Sequence, residues 1–163
     1  SHKNNIAFYS IFSLILLLAF YKTFDRNKDW ENNRTLATNT LAKGVTNSSF
    51  IYAIYAAEWR HHYEVETNST DVQALQSAIS AAEKSLEIYP RYFNTMLDLG
   101  AMYLLAGEVN KAKDIFLQSL EIHPQHPDPN LHLGLIYYSE NNYAEAIKKL
   151  EVAQKEIKHN CIK

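Results

Sequence analysis

The fold is decided by residues 93–126, FNTMLDLGAMYLLAGEVNKAKDIFLQSLEIHPQH, because the next stretch, residues 127–158, repeats their pattern. The spacing between equivalent positions is 34 residues. Five pairs are in register: Gly100 and Gly134, Tyr103 and Tyr137, Ala112 and Ala146, Phe116 and Leu150, and Ser119 and Ala153. A fixed period of this size is typical of stacked helical hairpins, so the sequence predicts an all-α solenoid.

The repeated residues suit two antiparallel helices packed closely together. Small side chains at Gly100 and Ala112 let the backbones approach, while Tyr103 and Phe116 fill the space beside them. Pro124 cannot continue a helix, so the next hairpin begins after it. In these features the chain resembles the tetratricopeptide-repeat (TPR) family, closely over residues 72–158 and loosely over residues 28–66.

The TPR resemblance implies a concave face, lined by the first helix of each repeat, that binds a protein or peptide partner. The matching positions are Asn94, Leu97, Ala101, Leu104, Leu105, Asp128, Leu131, Leu135 and Tyr138. Repeats that clamp a C-terminal carboxylate carry Lys and Asn where this chain has leucine and alanine, so a carboxylate clamp is not expected. An apolar groove for a helix or an extended segment fits better. The same leucines could instead pack against another helix of the chain or of a larger parent.

The N-terminal region has a different character. Ile6 to Tyr21, IAFYSIFSLILLLAFY, contains no charged residue. As a helix it would be about 24 Å long, and Lys22 to Phe24 would extend it towards the roughly 30 Å of a hydrocarbon core. We therefore predict a transmembrane helix at residues 5–24, which would make the protein an integral membrane protein with one span in this chain.

A second, shorter resemblance lies just after this segment. Arg26-Asn27-Lys28-Asp29-Trp30, with Leu36 downstream, is similar to the junction between the last span and the C-terminal repeats of multi-pass glycosyltransferases of the protein O-mannosyltransferase type. That resemblance implies catalytic residues upstream of this chain and repeats outside the cytoplasm, in a periplasm or lumen. The basic residues that follow the span favour the opposite orientation. We expect the topology that the resemblance implies.

The predicted organisation has four parts. Residues 5–24 form the transmembrane helix, residues 25–70 the juxtamembrane and degenerate first-repeat helices, residues 71–158 the TPR helices, and residues 159–163 a tail. Ten extra residues, around His61 to Thr70, interrupt the first repeat. Helices are expected near residues 28–43, 48–65, 71–88, 93–106, 109–122, 127–140 and 143–158.

The sequence contains no motif that indicates catalysis or metal binding. The histidines at 61, 62, 123, 126 and 132 lack the spacing of a metal site, and no phosphate-binding glycine loop or nucleophile motif is present. We therefore predict no catalytic residue, cofactor or metal. A net charge of −2 argues against nucleic-acid binding. The expected function is a membrane-anchored TPR module for protein interaction or scaffolding, with the oligomeric state left open.

Overall fold

The computed structural model describes residues 2–27, 32–67 and 69–161, with side chains described at 12–24, 32–67 and 69–158. Within these ranges the chain is helical throughout its regular structure and contains no β-strand. The α-helices are α1 (His2–Asn27), α2 (Asn33–Ala42), α3 (Ser49–His61), α4 (Val72–Ile88), α5 (Phe93–Leu105), α6 (Val109–Ile122), α7 (Pro127–Ser139) and α8 (Tyr143–Cys161). A π-helical segment, His62–Glu66, follows α3 directly.

The chain divides into two compact units, Ser1–Val45 and Thr46–Lys163. The first unit holds α1 and α2. Asn32 caps the start of α2, because its side chain accepts a hydrogen bond of 2.8 Å from the Thr35 amide. The helix predicted near residues 28–43 is therefore present from Asn33 onward, and residues 28–31 lie outside the described part of the chain.

The prediction of a membrane span at residues 5–24 is wrong, and so is the single-span integral-membrane localisation based on it. In the part of the chain that the structure describes, no helix has both the length and the apolar character that a bilayer crossing requires. The extracytoplasmic placement of the repeats loses its basis with the span.

The second unit is a row of helical hairpins. The hairpins are α3 with α4, α5 with α6, and α7 with α8, and successive hairpins meet where α4 contacts α5 and where α6 contacts α7. The buried core runs through all of them, and its largest fully buried side chains include Phe116, Met102 and Leu133. The all-α solenoid predicted from the 34-residue period is confirmed for the described residues.

The turns inside the last two hairpins are built alike. Gly107 and Asn141, 34 residues apart, both have a left-handed backbone, with φ of +77° and +60°. In each case the next amide closes the helix end: Glu108 donates to the Tyr103 carbonyl at 2.8 Å, and Asn142 donates to the Tyr137 carbonyl at 2.9 Å. Glycine and asparagine are the residues that adopt this conformation at least cost.

The two helical glycines mark the closest approach within these hairpins. A Cβ built on Gly100 would lie 2.5 Å from Cε1 of Phe116, and one on Gly134 would lie 2.6 Å from Cγ of Leu150. Any side chain at either position would therefore displace the large residue opposite. This geometry explains why small and large residues alternate across the hairpin with the same period.

The ten extra residues of the first repeat form the π-helical segment and a turn. The Thr67 amide donates to the His62 carbonyl, five residues earlier, at 3.0 Å, which is the π-helical pattern. Asp71 then caps α4, accepting from the Ala74 amide at 3.1 Å. The predicted helix near 48–65 is thus an α-helix to His61 that continues with a wider turn.

Candidate partner-binding groove

The nine predicted groove positions all lie on α5 and α7, the first helices of the second and third hairpins. Both helices pack against α6, the second helix of the second hairpin. Six of the nine side chains are exposed and three are half-buried. The exposed positions are Asn94, Leu105, Asp128, Leu131, Leu135 and Tyr138, and the half-buried positions are Leu97, Ala101 and Leu104.

The three half-buried positions belong partly to the fold. Leu97 and Leu104 pack against the hydrophobic core. The alternative that the inner leucines serve packing therefore applies to Leu97 and Leu104 of α5, but not to Leu105, which is exposed. It does not hold for α7, where Leu135 is 53% exposed and Tyr138 is 62% exposed. The apolar surface open to a partner is concentrated on α7.

An ion-pair cluster joins α3 to α5, and the sequence reasoning did not single it out. Nη2 of Arg60 lies 3.1 Å from Oδ1 of Asp98, and Nη1 of Arg60 lies 3.3 Å from Oε1 of Glu64. Burial raises the pKa of the Asp98 carboxyl, while the Arg60 charge acts in the opposite direction. The four-residue spacing of Arg60 and Glu64 was the sequence signal for one of these pairs, but the pairing with Asp98 depends on the tertiary fold.

The two junctions between hairpins use different polar contacts. Where α4 meets α5, the Tyr103 hydroxyl donates to Oε1 of Glu83 at 2.6 Å. The pKa of the Tyr103 phenol is raised above its ordinary value. Burial is the larger cause, and the hydrogen bond to Glu83 is the second. Where α6 meets α7, Nζ of Lys113 lies 2.6 Å from Oε2 of Glu140 and 4.4 Å from the centre of the Tyr137 ring.

One of the histidines considered as metal ligands contributes instead to packing at the second junction. The His132 ring stacks on Phe116, with ring centres 4.9 Å apart and planes 7° from parallel. Burial lowers the pKa of the His132 imidazole, while the Asp128 charge raises it. His132 is thus a largely apolar packing group on α7.

Three further histidines contact aromatic or acidic neighbours. His123 and His126 lie against Phe93, with ring-centre distances of 4.6 and 4.8 Å, beside an open cleft of about 670 Å³. Nδ1 of His62 lies 2.6 Å from Oε2 of Glu66. Among the described residues, no group of three or more His, Cys, Asp or Glu side chains is placed to hold a metal ion.

Comparison with solved structures identifies the class of fold. Two crystal structures of MamA are similar to this chain. The first has a TM-score of 0.61 at 19% identity, and the alignment covers 84% of this chain and 85% of MamA. The second has a TM-score of 0.59 at 20% identity, and the alignment covers 83% of this chain and 78% of MamA. The structure of TTC0263, a thermophilic TPR protein from Thermus thermophilus, has a TM-score of 0.55 at 19% identity, and the alignment covers 90% of this chain and 86% of TTC0263. The fold is therefore that of a TPR-type helical solenoid.

Comparison by sequence is less extensive. The human aspartyl/asparaginyl beta-hydroxylase is 26% identical over 77 residues, which are 47% of this chain and 10% of the hydroxylase. The chain thus matches only about a tenth of the length of that relative. No protein-family model matches the chain. These similarities give no support to the suggested relationship with O-mannosyltransferase-type glycosyltransferases or to a membrane anchor.

Proposed function

We propose that the second unit is a protein-interaction module that binds an apolar helix or extended segment along the first-helix face of α5 and α7. The proposal is supported by the TPR-type fold, in which first helices line the inner surface. It is carried by one observation: Leu131, Leu135 and Tyr138 on α7 and Leu105 on α5 are large apolar side chains left exposed to water. Such a run on one face is a feature of binding surfaces.

The chemistry of the face defines the partner. Its exposed positions are leucine and tyrosine, with Asn94 and Asp128 near the starts of the two helices. The positions where other repeats carry the lysine and asparagine that grip a free carboxylate hold leucine and alanine here, so the selectivity of the face comes from apolar anchors spaced along the bound segment. We infer a non-catalytic, scaffolding role in which a partner segment contributes leucine- or aromatic-type side chains.

The test is a selection from a displayed library of peptides, each about four helical turns long, against the protein, followed by affinity measurements on the selected peptides. Leu135→Asp places a charge in the middle of the exposed run on α7 and is expected to weaken binding at least tenfold. Val72→Asp is the matched control, because Val72 is also an exposed apolar side chain but lies at the start of the second helix α4.

Circular dichroism spectra and unfolding midpoints check that the two variants are folded. Both are expected to match the unaltered protein, because the substituted positions are exposed. Peptides that bind the Leu135→Asp variant as tightly as the unaltered protein would contradict the groove assignment. A selection that yields no peptide above background would contradict the proposed function itself.

A further inference from the structure

The last hairpin leaves an apolar surface uncovered along α8. Ile147 is 57% exposed and Ile157 is 46% exposed. With Leu150 and Ala153 between them, they line a groove of about 560 Å³. We call Ile147, Leu150, Glu151, Ala153 and Ile157 the α8 face.

The internal repeat shows what covers a surface of this kind. A shift of 34 residues relates Ile147 to Lys113 on α6, and a further 34 relates it to Ile79 on α4. Both earlier surfaces are covered by the first helix of the next hairpin, because α5 packs on α4 and α7 packs on α6. Ile79 is accordingly only 2% exposed, in contrast to Ile147. The α8 face is thus a third copy of an interface that the molecule already uses twice.

The side chains of the α8 face match α4 rather than α6. On α4, Ile79 is buried and Glu83, four residues later, accepts the Tyr103 hydroxyl. On α8 the same two positions are Ile147 and Glu151. On α6 they are Lys113 and Leu117, and Lys113 pairs instead with Glu140, which follows α7. The α8 face therefore presents the chemistry that an α5-type helix recognises.

We propose that the α8 face is a second docking site, which adjoins the first groove at Leu131, and that it binds an amphipathic helix of a partner protein in the position that α5 takes on α4. The bound helix presents a tyrosine hydroxyl to Glu151 and a small or apolar residue to Ile147. A helix with the charge pattern of α7 is disfavoured, since α8 has Ile147 at the position equivalent to Lys113 and Glu140 would lose its ion pair.

The experiment measures binding of two synthetic peptides of equal length to the protein by fluorescence anisotropy, each with the same charged solubility tail. One has the sequence of residues 91–107, which contain α5, and the other that of residues 125–141, which contain α7. The α5 peptide is expected to bind saturably with one-to-one stoichiometry. The α7 peptide is expected to bind at least tenfold more weakly.

Two substitutions locate the site. Ile147→Lys is expected to weaken binding of the α5 peptide at least tenfold, and Ala144→Lys is the matched control. Ala144 is an exposed residue of the same helix, and its counterparts in the earlier repeats, Gln76 and Asn110, are polar and stay exposed where their helices are packed. A lysine at this position is therefore expected to leave the α8 face open and the affinity for the α5 peptide unchanged.

A pair of milder changes tests the hydrogen bond that the docked helix would make. Glu151→Gln in the protein and Tyr103→Phe in the α5 peptide are each expected to weaken binding about threefold to tenfold. Because both remove the same contact, combining them is expected to cause no further loss. Additive losses would place the peptide tyrosine away from Glu151.

Equal affinity for the two peptides, or equal effects of Ile147→Lys and Ala144→Lys, would overturn the proposal. It would also fail if sedimentation showed concentration-dependent self-association that Ile147→Lys abolished while the α5 peptide did not bind, because the occupant would then be a second copy. Failure of the groove variant Leu135→Asp to affect selected peptides would leave these results unchanged, so the two sites are tested separately.

Discussion

Gly100 and Phe116 face each other so closely that a methyl group on Gly100 would lie 2.5 Å from the ring of Phe116. Phe116 is fully buried, so its ring has little room to move aside. The contact sets the distance between α5 and α6, and with it the position of the first-helix face that carries the proposed groove. Substitutions on either side of the contact should therefore both lower stability, by overpacking at Gly100 and by leaving a cavity at Phe116.

Gly100→Ala is expected to lower the free energy of unfolding by about 1–2 kcal/mol, because overpacking against a fully buried ring costs about 2–3 kcal/mol and exceeds the gain of about 1 kcal/mol in helix propensity. Urea unfolding followed by circular dichroism measures the change. Ser80→Ala, at an exposed position of α4, is the control and is expected to change stability by less than about 0.5 kcal/mol. A neutral or stabilising effect at Gly100 would show that the two helices can separate.

Phe116→Ala is expected to cost about 3–5 kcal/mol, since it removes a fully buried ring and leaves a cavity between α5, α6 and α7. The neighbouring Leu117→Ala, at a residue 38% exposed, should cost much less. Thermal unfolding of the two variants under the same conditions gives the comparison. Similar losses in both would contradict the packing described for α6.

Tyr103→Phe is expected to lower stability by about 1–2 kcal/mol near neutral pH, because it removes the hydrogen bond to Glu83. The folded state raises the pKa of this phenol above its ordinary value of 10.0, so it holds the proton more tightly than the unfolded chain does. The contribution is therefore complete below about pH 10 and is lost as the pH rises further.

The measurement for Tyr103→Phe is the free energy of unfolding at neutral pH, just below pH 10 and above it. The unaltered protein should lose more stability above about pH 10 than the variant does. Tyr143→Phe serves as the matched control, because the Tyr143 hydroxyl bonds Asn141 at an exposed position. Parallel pH profiles for the unaltered protein and Tyr103→Phe would contradict the prediction.

Asp98→Asn is expected to reveal a dependence at acid pH. Burial raises the pKa of the Asp98 carboxyl above its ordinary 3.8, so the folded state takes up this proton first as the pH falls. Relative to Asp98→Asn, the unaltered protein should therefore gain stability between neutral pH and about pH 4. Unfolding in urea across that range tests the sign, and a relative loss would mean that the ion pair with Arg60 dominates.

The sequence predicted the helices of the second unit closely, because hydrophobic period, capping residues and turn residues all act locally. α4 to α7 begin and end within about one residue of their predicted bounds. α8 continues to Cys161, beyond the predicted end at residue 158. The left-handed turn at Asn141 was not predicted, because this position holds asparagine where the preceding hairpin has Gly107.

The candidate site was less accessible to sequence reasoning. The periodic pattern identified which face of α5 and α7 points inward, but not how far neighbouring helices cover it, so Leu97 and Leu135 could not be told apart. The pairing of Arg60 with Asp98 joins residues 38 positions apart and has no local signature. The predicted membrane span depended on apolar composition alone, and the described helices do not support it. The motif at residues 26–30 lies partly outside the described residues.

The difference between the two junctions also bears on errors during folding. If α7 docked on α4 in place of α5, Tyr137 would take the place of Tyr103 beside Glu83, but Glu140 would lose Lys113, because α4 has Ile79 at the position equivalent to Lys113. A slip by one repeat thus gives up the Lys113–Glu140 ion pair. Repeats that resemble one another are prone to such out-of-register assembly and to exchange between chains, and the Lys113–Glu140 pair at the α6–α7 junction favours the native order.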